Sequence, residues 1–420
     1  MKYSPLRILI LSIALFFVYG QQSFAQEQGW QADPDRIEYL EEERPQYNWR
    51  ESAVPDFQLP DALEAAGGSK VQTKEQWQQR RSEILNQFRT HMYGHRPGPP
   101  ENLSFDVVEE DPEAMDGRAT LRRVAINSQH EGRSHEFELI LFLPNEAPKP
   151  VPVFLLMNNR DPDNTDPTRE EKSGFWPAEE VIDRGYGIAA IQNGDLAPDD
   201  EEHYHEGVIR LFEGEQAAVD REPDAWMALA AWGWGASRVM DYFEIDSRVD
   251  TSRVAVLGHS RGGKASLWAG AEDERFSIVI SNNSGSGGAA LSRRAFGETL
   301  RAVNRFRHWF AGNYDAFDDR EEALPFDQHM LLSLIAPRAV YVASADEDLW
   351  ADPRGEFLSL VHASPVYALW GHEPIRADEM PPLDQPLVAG PRGYHVRSGG
   401  HNLTPQDWHY YMDFADHLWR

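Results

Sequence analysis

Apolar and polar positions change rhythm along the chain near residue 150. Upstream, residues 103–108, 119–126 and 135–143 read as strands. The last of these turns from alternating to fully apolar, as a strand does on passing inward from a sheet edge. Residues 73–92 read as a helix capped by Thr73, with Glu75 in its first turn, and Pro97, Pro99 and Pro100 bar its continuation. Residues 26–68 are acidic and punctuated by proline, which predicts an extended segment wrapping the surface with little regular structure.

From Val151 strands alternate with helices. Strands are expected at 153–157, 187–192, 253–257, 278–280, 339–343 and 394–397, and helices at 177–184, 223–242 and 264–271. In the long helix Trp226, Leu229, Ala230, Trp232, Gly233, Ala236 and Met240 make an apolar stripe whose small members allow close packing on a sheet. This alternation predicts an α/β protein: a three-layer αβα sandwich around a mostly parallel central sheet. Ligands of such sheets bind beyond the carboxyl ends of the strands, so the residues after each strand matter most.

One junction carries chemistry. Val254-Ala255-Val256-Leu257 runs into Gly258-His259-Ser260-Arg261-Gly262, a Gly-x-Ser-x-Gly turn with a strand before it and a helix after it. The pattern alone occurs by accident in loops; the flanking elements argue against accident here. Ser260 would stand over the sheet end, beside the positive end of the next helix. A serine hydroxyl is a weak nucleophile near neutrality and needs a base, which needs an orienting carboxylate. Residues 344–350 follow one later strand, and Ser398-Gly399-Gly400-His401 follow the last, giving the order Ser, acid, His of α/β-hydrolases. His401 is the candidate base. Asp346, Glu347, Asp348 and Asp352 compete for the acid, and an acidic cluster is as often a solvated loop. His259, inside the turn, reads as packing. The N–H of Arg261 is an oxyanion donor by elbow geometry, and its guanidinium would add fixed positive charge. Lys264, one helical turn on, either faces the same cleft or is a solvated helix residue.

Composition narrows the setting. Lys2 and Arg7, an apolar run over 8–19 and Ser23-Phe24-Ala25 predict a signal peptide over 1–25, followed by the extended segment 26–68 and a single catalytic domain, 69–420. A secreted or periplasmic protein, without membrane insertion, is expected. The 420 residues include no cysteine, so stability owes nothing to disulfides. A formal charge of −29 disfavours nucleic acid and anionic membrane as partners. Thirteen tryptophans fit either a large core or platforms for stacking sugars.

The residues also resemble a family. Gly258-His259-Ser260-Arg261-Gly262-Gly263-Lys264 is similar to the Gly-x-Ser-Arg-x-Gly-Lys signature of the glucuronoyl esterases, carbohydrate esterase family 15. So are Trp232-Gly233-Trp234-Gly235, Asn283-Ser284-Gly285-Ser286-Gly287-Gly288, Pro325-Phe326-Asp327-Gln328-His329 and Glu347-Asp348-Leu349-Trp350. The resemblance runs from about Trp77 to the C-terminus. It implies an α/β-hydrolase fold and hydrolysis of esters between 4-O-methyl-glucuronic acid on xylan and lignin alcohols. No metal or organic cofactor is implied, and a monomer is expected. Ser260 would be the nucleophile and His401 the base, with Arg261 serving the oxyanion. Lys264 and Glu298 would hydrogen-bond the uronate hydroxyls, and Trp350 would pack on the sugar. One position departs: where many members carry the triad acid, this chain has Asn283. That moves the role to the 346–348 cluster, to Asp348 first and Glu347 second. An acetyl-xylan or general carboxylesterase on the same scaffold remains an alternative. So does a carbohydrate-binding protein without catalysis, for which Asn283 is the support.

Overall fold

The computed structural model of the chain describes residues 29–218 and 221–420; the expected signal peptide lies outside them. Among these residues, strands β1 (Asn102–Glu113), β2 (Ala119–His130), β3 (Arg133–Pro144), β4 (Val151–Asn158), β5 (Gly187–Gln192), β6 (Val249–His259), β7 (Ile278–Asn282), β8 (Ala339–Ala345), β9 (Leu387–Ala389) and β10 (Arg392–Arg397) form one sheet. Their order is β1-β2-β3-β5-β4-β6-β7-β8-β10-β9. From β5 to β10 each neighbouring pair is parallel; β1, β2 and β3 at one end and β9 at the other run antiparallel.

The strand period of two sorts the core into two layers. Val153, Leu155 and Met157 of β4 and Val254 and Val256 of β6 pack in one core with Trp232 and Trp268. Phe154 and Leu156 of β4 and Ala255 and Leu257 of β6 pack in the other with Trp408, Tyr411 and Phe414. The helices that matter for the site are α1 (Pro34–Glu43), α2 (Lys74–Phe88), α3 (Ala228–Phe243), α4 (Arg261–Glu272), α5 (Pro353–Ala368) and α6 (Pro405–Trp419). Trp232 lies on α3 and Trp268 on α4, whereas Trp408 lies on α6, so helices cover both faces. This is the three-layer sandwich of the α/β-hydrolases, as expected from the sequence.

Two details differ from the expectation, and a third decides between alternatives it left open. Residues 26–68 are not simply extended: Asp33 caps α1 by accepting from Asp35 N–H at 2.9 Å, with Pro34 in the first turn. Leu40 of that helix and Trp49 beyond it are buried. The helix expected at 223–242 starts only at Ala228, because Ala225 bridges to His95 and the Trp226 indole N–H donates to Glu213 at 2.7 Å instead. Most of the tryptophans are core: Trp49, Trp77, Trp176, Trp232, Trp234, Trp268 and Trp408 are among the largest fully buried side chains.

Candidate active site

β6 ends at His259 and α4 begins at Arg261, so Ser260 alone makes the turn, at φ +58°. Both flanking glycines are forced by sterics. A Cβ on Gly258 would lie 2.1 Å from the carbonyl oxygen of Gly262, and one on Gly262 would lie 2.9 Å from Asn159 Oδ1. The N–H of Ser260 donates to the Asn282 carbonyl at 2.8 Å, which ties the turn to the end of β7. The N–H of Arg261, first residue of α4, is one of those a helix leaves without an intrahelical partner.

Ser260, Arg261, Lys264, Glu298, Trp350 and His401 all line one cavity of about 210 Å³, together with Asn283, Phe306 and Trp309. Pockets for drug-sized ligands run to roughly 300–1,000 Å³; this one suits a single ring. A larger cavity, about 470 Å³, lies between residues 30–52 and Phe296, Asp352 and Arg354, and has no histidine in its wall. The smaller cavity is the one with the chemistry.

His401 arrives on the loop after β10, and that loop is held from below. Buried Arg397 donates to the carbonyls of Ser398 at 2.9 Å, Gly400 at 3.1 Å and Asn402 at 2.6 Å, and pairs with Asp407 at 2.8 Å. His401 Nδ1 meets Asp348 Oδ2 at 2.6 Å. The same oxygen accepts from Asn283 Nδ2 at 3.0 Å. His401 and Ser260 share the cavity without a direct hydrogen bond between them in this arrangement; bonds of this kind commonly tighten only once substrate is bound.

The competing acids are separated by their partners. Asp346 Oδ1 accepts from the Gly399 N–H at 2.7 Å, supporting the His401 loop. Glu347 is exposed. Asp352 pairs with Arg294 at 2.8 Å and caps α5 through the Gly355 N–H at 2.9 Å. Of the four, Asp348 is the one bonded to His401, and it is buried.

His259 is packing, as expected, with an electrostatic part as well. Arg160 Nη2 donates to its Nε2 at 2.9 Å, so its proton sits on Nδ1 and faces Asn282 Oδ1 at 2.6 Å. Burial, with His401 and Arg160 nearby, pushes its pKa well below the ordinary histidine value. The ring lies 4.5 Å from that of His401, centroid to centroid, and adds no positive charge there.

The cations are closely held. Arg261 Nε donates to Asp199 Oδ2 and Nη2 to the Asn159 carbonyl at 3.1 Å; Nη1 has no partner among the described residues. Asp199 also accepts from His308 Nε2 at 2.8 Å and from the Trp309 indole at 2.7 Å. Burial would raise its pKa, but the His308 hydrogen bond and the Arg261 charge outweigh that and hold it low. Lys264 is not a solvated helix residue. Its ammonium is buried and donates to the Ser284 carbonyl at 2.6 Å, to the Ser286 carbonyl and to Glu298 Oε2 at 3.1 Å. Trp350 is braced by the N-terminal segment: Tyr47 meets it edge-on at 4.7 Å, Trp49 lies at 6.0 Å, and the Arg44 guanidinium sits 5.1 Å above the ring. Sequence reasoning missed Asp199, Asn283 as a donor, and this brace; none carries a local motif. Among the described residues no group of three or more His, Cys, Asp or Glu is placed to hold a metal ion.

Residues 126–371 match the family model described as glucuronyl esterase of fungi. A carbohydrate esterase called MZ0003, from an unknown prokaryotic organism, is 39% identical over 92% of this chain and 95% of its own length. A 4-O-methyl-glucuronoyl methylesterase of Schizophyllum commune is 26% identical over 76% of this chain and 75% of its own length. Among solved structures, the glucuronoyl esterase from Solibacter usitatus superposes with a TM-score of 0.82 at 40% identity, covering 88% of this chain and all (100%) of that one.

Proposed function

This chain belongs to the glucuronoyl esterases of carbohydrate esterase family 15, and we propose that it cleaves esters between (4-O-methyl-)glucuronic acid of glucuronoxylan and lignin alcohols. The reading is of a carboxylic ester hydrolase working through Ser260, His401 and Asp348. His401 Nε2 takes the hydroxyl proton as Ser260 Oγ attacks the uronate carbonyl, and Asp348 holds Nδ1–H and steadies the imidazolium. The oxyanion is met by the Arg261 N–H and the free edge of its guanidinium. His401 then returns the proton to the departing alcohol, leaving a glucuronoyl ester on Ser260 that water hydrolyses by the same steps in reverse. Glu298 offers an acceptor to the sugar hydroxyls, Lys264 holds that carboxylate and exchanges one of its three contacts for a sugar hydroxyl when substrate enters, and Trp350 offers a flat apolar face. The observation that carries this reading is the Asp348–His401 contact of 2.6 Å on the wall of the cavity that also holds Ser260, Lys264 and Glu298. The protein is further proposed to leave the cytoplasm by its N-terminal signal and to act as a single catalytic domain. No helix of the described residues is long and apolar enough to cross a membrane.

Substrate choice tests it. Wild-type enzyme is expected to favour a benzyl glucuronate ester over an acetyl ester by at least about 100-fold in kcat/KM. Lys264→Ala and Glu298→Gln should each raise KM for the uronate by about 10- to 100-fold, the worth of a hydrogen bond to a charged group. Faster cleavage of the acetyl ester, unaffected by either change, would select the acetyl-xylan esterase reading. Glycan binding with no turnover of any ester would select the binding protein.

A further inference from the structure

Behind the site lies a fully buried acid that the mechanism above leaves unused. Glu356 lies in the first turn of α5. Its Oε1 accepts from Ser284 N–H at 2.9 Å, Gly285 N–H at 3.0 Å and Ser284 Oγ at 3.2 Å; its Oε2 lies 2.6 Å from Ser344 Oγ. Among the described residues no lysine, arginine or histidine pairs with it, and a buried carboxylate without a cation is costly. Its neighbours allow the neutral form. Oxygen–oxygen distances fix a hydrogen bond but not its direction. Tyr394 Oη lies 2.8 Å from the Pro353 carbonyl, which accepts only, and 3.0 Å from Ser344 Oγ. The protons can therefore run from Glu356 Oε2 to Ser344 Oγ, from Ser344 Oγ to Tyr394 Oη, and from Tyr394 Oη to the Pro353 carbonyl, each hydroxyl giving one and taking one.

What Glu356 grips is the loop after β7. Asn283 has φ of +47°, a left-handed backbone that needs outside support, and Gly285 follows at +59°, which glycine adopts without strain. That loop presents Asn283 Nδ2 to Asp348 and the carbonyls of Ser284 and Ser286 to Lys264. We infer that Glu356 is a positioning residue: a neutral buried carboxyl that fixes residues 283–286, and through them both the acid behind His401 and the cation that meets the uronate. This rests on the assignment of Ser260, His401 and Asp348 proposed above. The titratable and charged groups around it are Asp348, Tyr394 on β10, Asp352 (paired with Arg294) at the head of its own helix, and Lys264 beyond Ser284. Burial pushes its pKa up to about 8, with Asp348 adding to the rise against the hydrogen bonds from Ser344, Ser284 and Gly285. Ionisation would put a second negative charge beside Asp348 and remove the donor to Ser344.

Glu356→Gln keeps an acceptor at Oε1 and a donor toward Ser344, so it copies the neutral acid. It should keep kcat and KM within about threefold of wild type near pH 7, and lack the alkaline fall expected of wild type around pH 8. Glu356→Ala should lose about tenfold or more in kcat and raise KM as well. Thermal stability gives a readout independent of turnover. A carboxyl whose folded pKa exceeds its unfolded one costs stability as pH rises from the unfolded value toward the folded one. The Tm advantage of Glu356→Gln over wild type should therefore grow between about pH 5 and pH 8 and then level off. A Gln variant that fails to fold, that is as impaired as Ala near pH 7, or whose Tm advantage is flat with pH would overturn the inference. Ser260→Ala is run beside them. If it retains activity, the proposed function is wrong while the Tm result still judges Glu356; if it is inactive and Glu356→Ala is normal, only the positioning role is lost.

Discussion

Ser260→Ala is expected to fold normally and to lose about 10⁵–10⁶ of kcat on a benzyl glucuronate ester. The size follows from the division of labour. Without the hydroxyl there is no acyl-enzyme, and what remains is the oxyanion donors and the oriented sugar acting on water, worth roughly 10³–10⁴ over the uncatalysed reaction. The folding expectation follows from the turn. The hydroxyl of Ser260 has no hydrogen-bond partner among the described residues, so its removal orphans nothing, and alanine at φ +58° is no worse placed than serine. Thermal unfolding should give the same Tm within about 2 °C. Residual turnover within tenfold of wild type would mean that the acyl group is carried elsewhere.

The acid gives the second large effect, and it is selective. Asp348→Asn should lower kcat by about 10⁴, because an amide facing His401 Nδ1 favours the tautomer whose Nε2 already carries a proton and cannot accept one from Ser260. Glu347→Gln should leave kcat within about twofold, since Glu347 is exposed and what binds Arg36 is its carbonyl, at 3.2 and 3.0 Å, rather than its carboxylate. Paired kinetics of the two variants decide the acid; a large loss in Glu347→Gln with little in Asp348→Asn would reverse the assignment.

The sequence shows some of this site and hides the rest for physical reasons. The nucleophile turn is legible because everything that makes it is local: an apolar strand, two glycines with no room for a Cβ, and a helix, all between Val249 and Glu272. His401 and Asp348 are legible only as an order of residues after strands. Choosing Asp348 over Asp346, Glu347 and Asp352 depends on which main-chain or side-chain donor each one meets across the fold. Asn283 looks from sequence like a missing acid; through space it is a donor to the acid that is present. A lysine on the first turn of a helix reads equally as solvated or as facing the cleft, and nothing nearby says that Ser284, Ser286 and Glu298 close over Lys264. The N-terminal segment hides its helix because so few of its residues are apolar, yet Tyr47 and Trp49 brace Trp350. At the other edge, β1 runs on to Glu113 past the expected end at 108, because the acidic run Glu109, Glu110 and Asp111 gives no apolar alternation to follow.

The measurement closest to the centre of the account is where the acyl group sits during turnover. Wild-type enzyme mixed with a benzyl glucuronate ester, quenched in acid within milliseconds and digested for mass spectrometry, should show the glucuronoyl mass on the peptide containing Ser260 and on no other. The same mass on a different residue, or none at all while benzyl alcohol is released at the full rate, would contradict it.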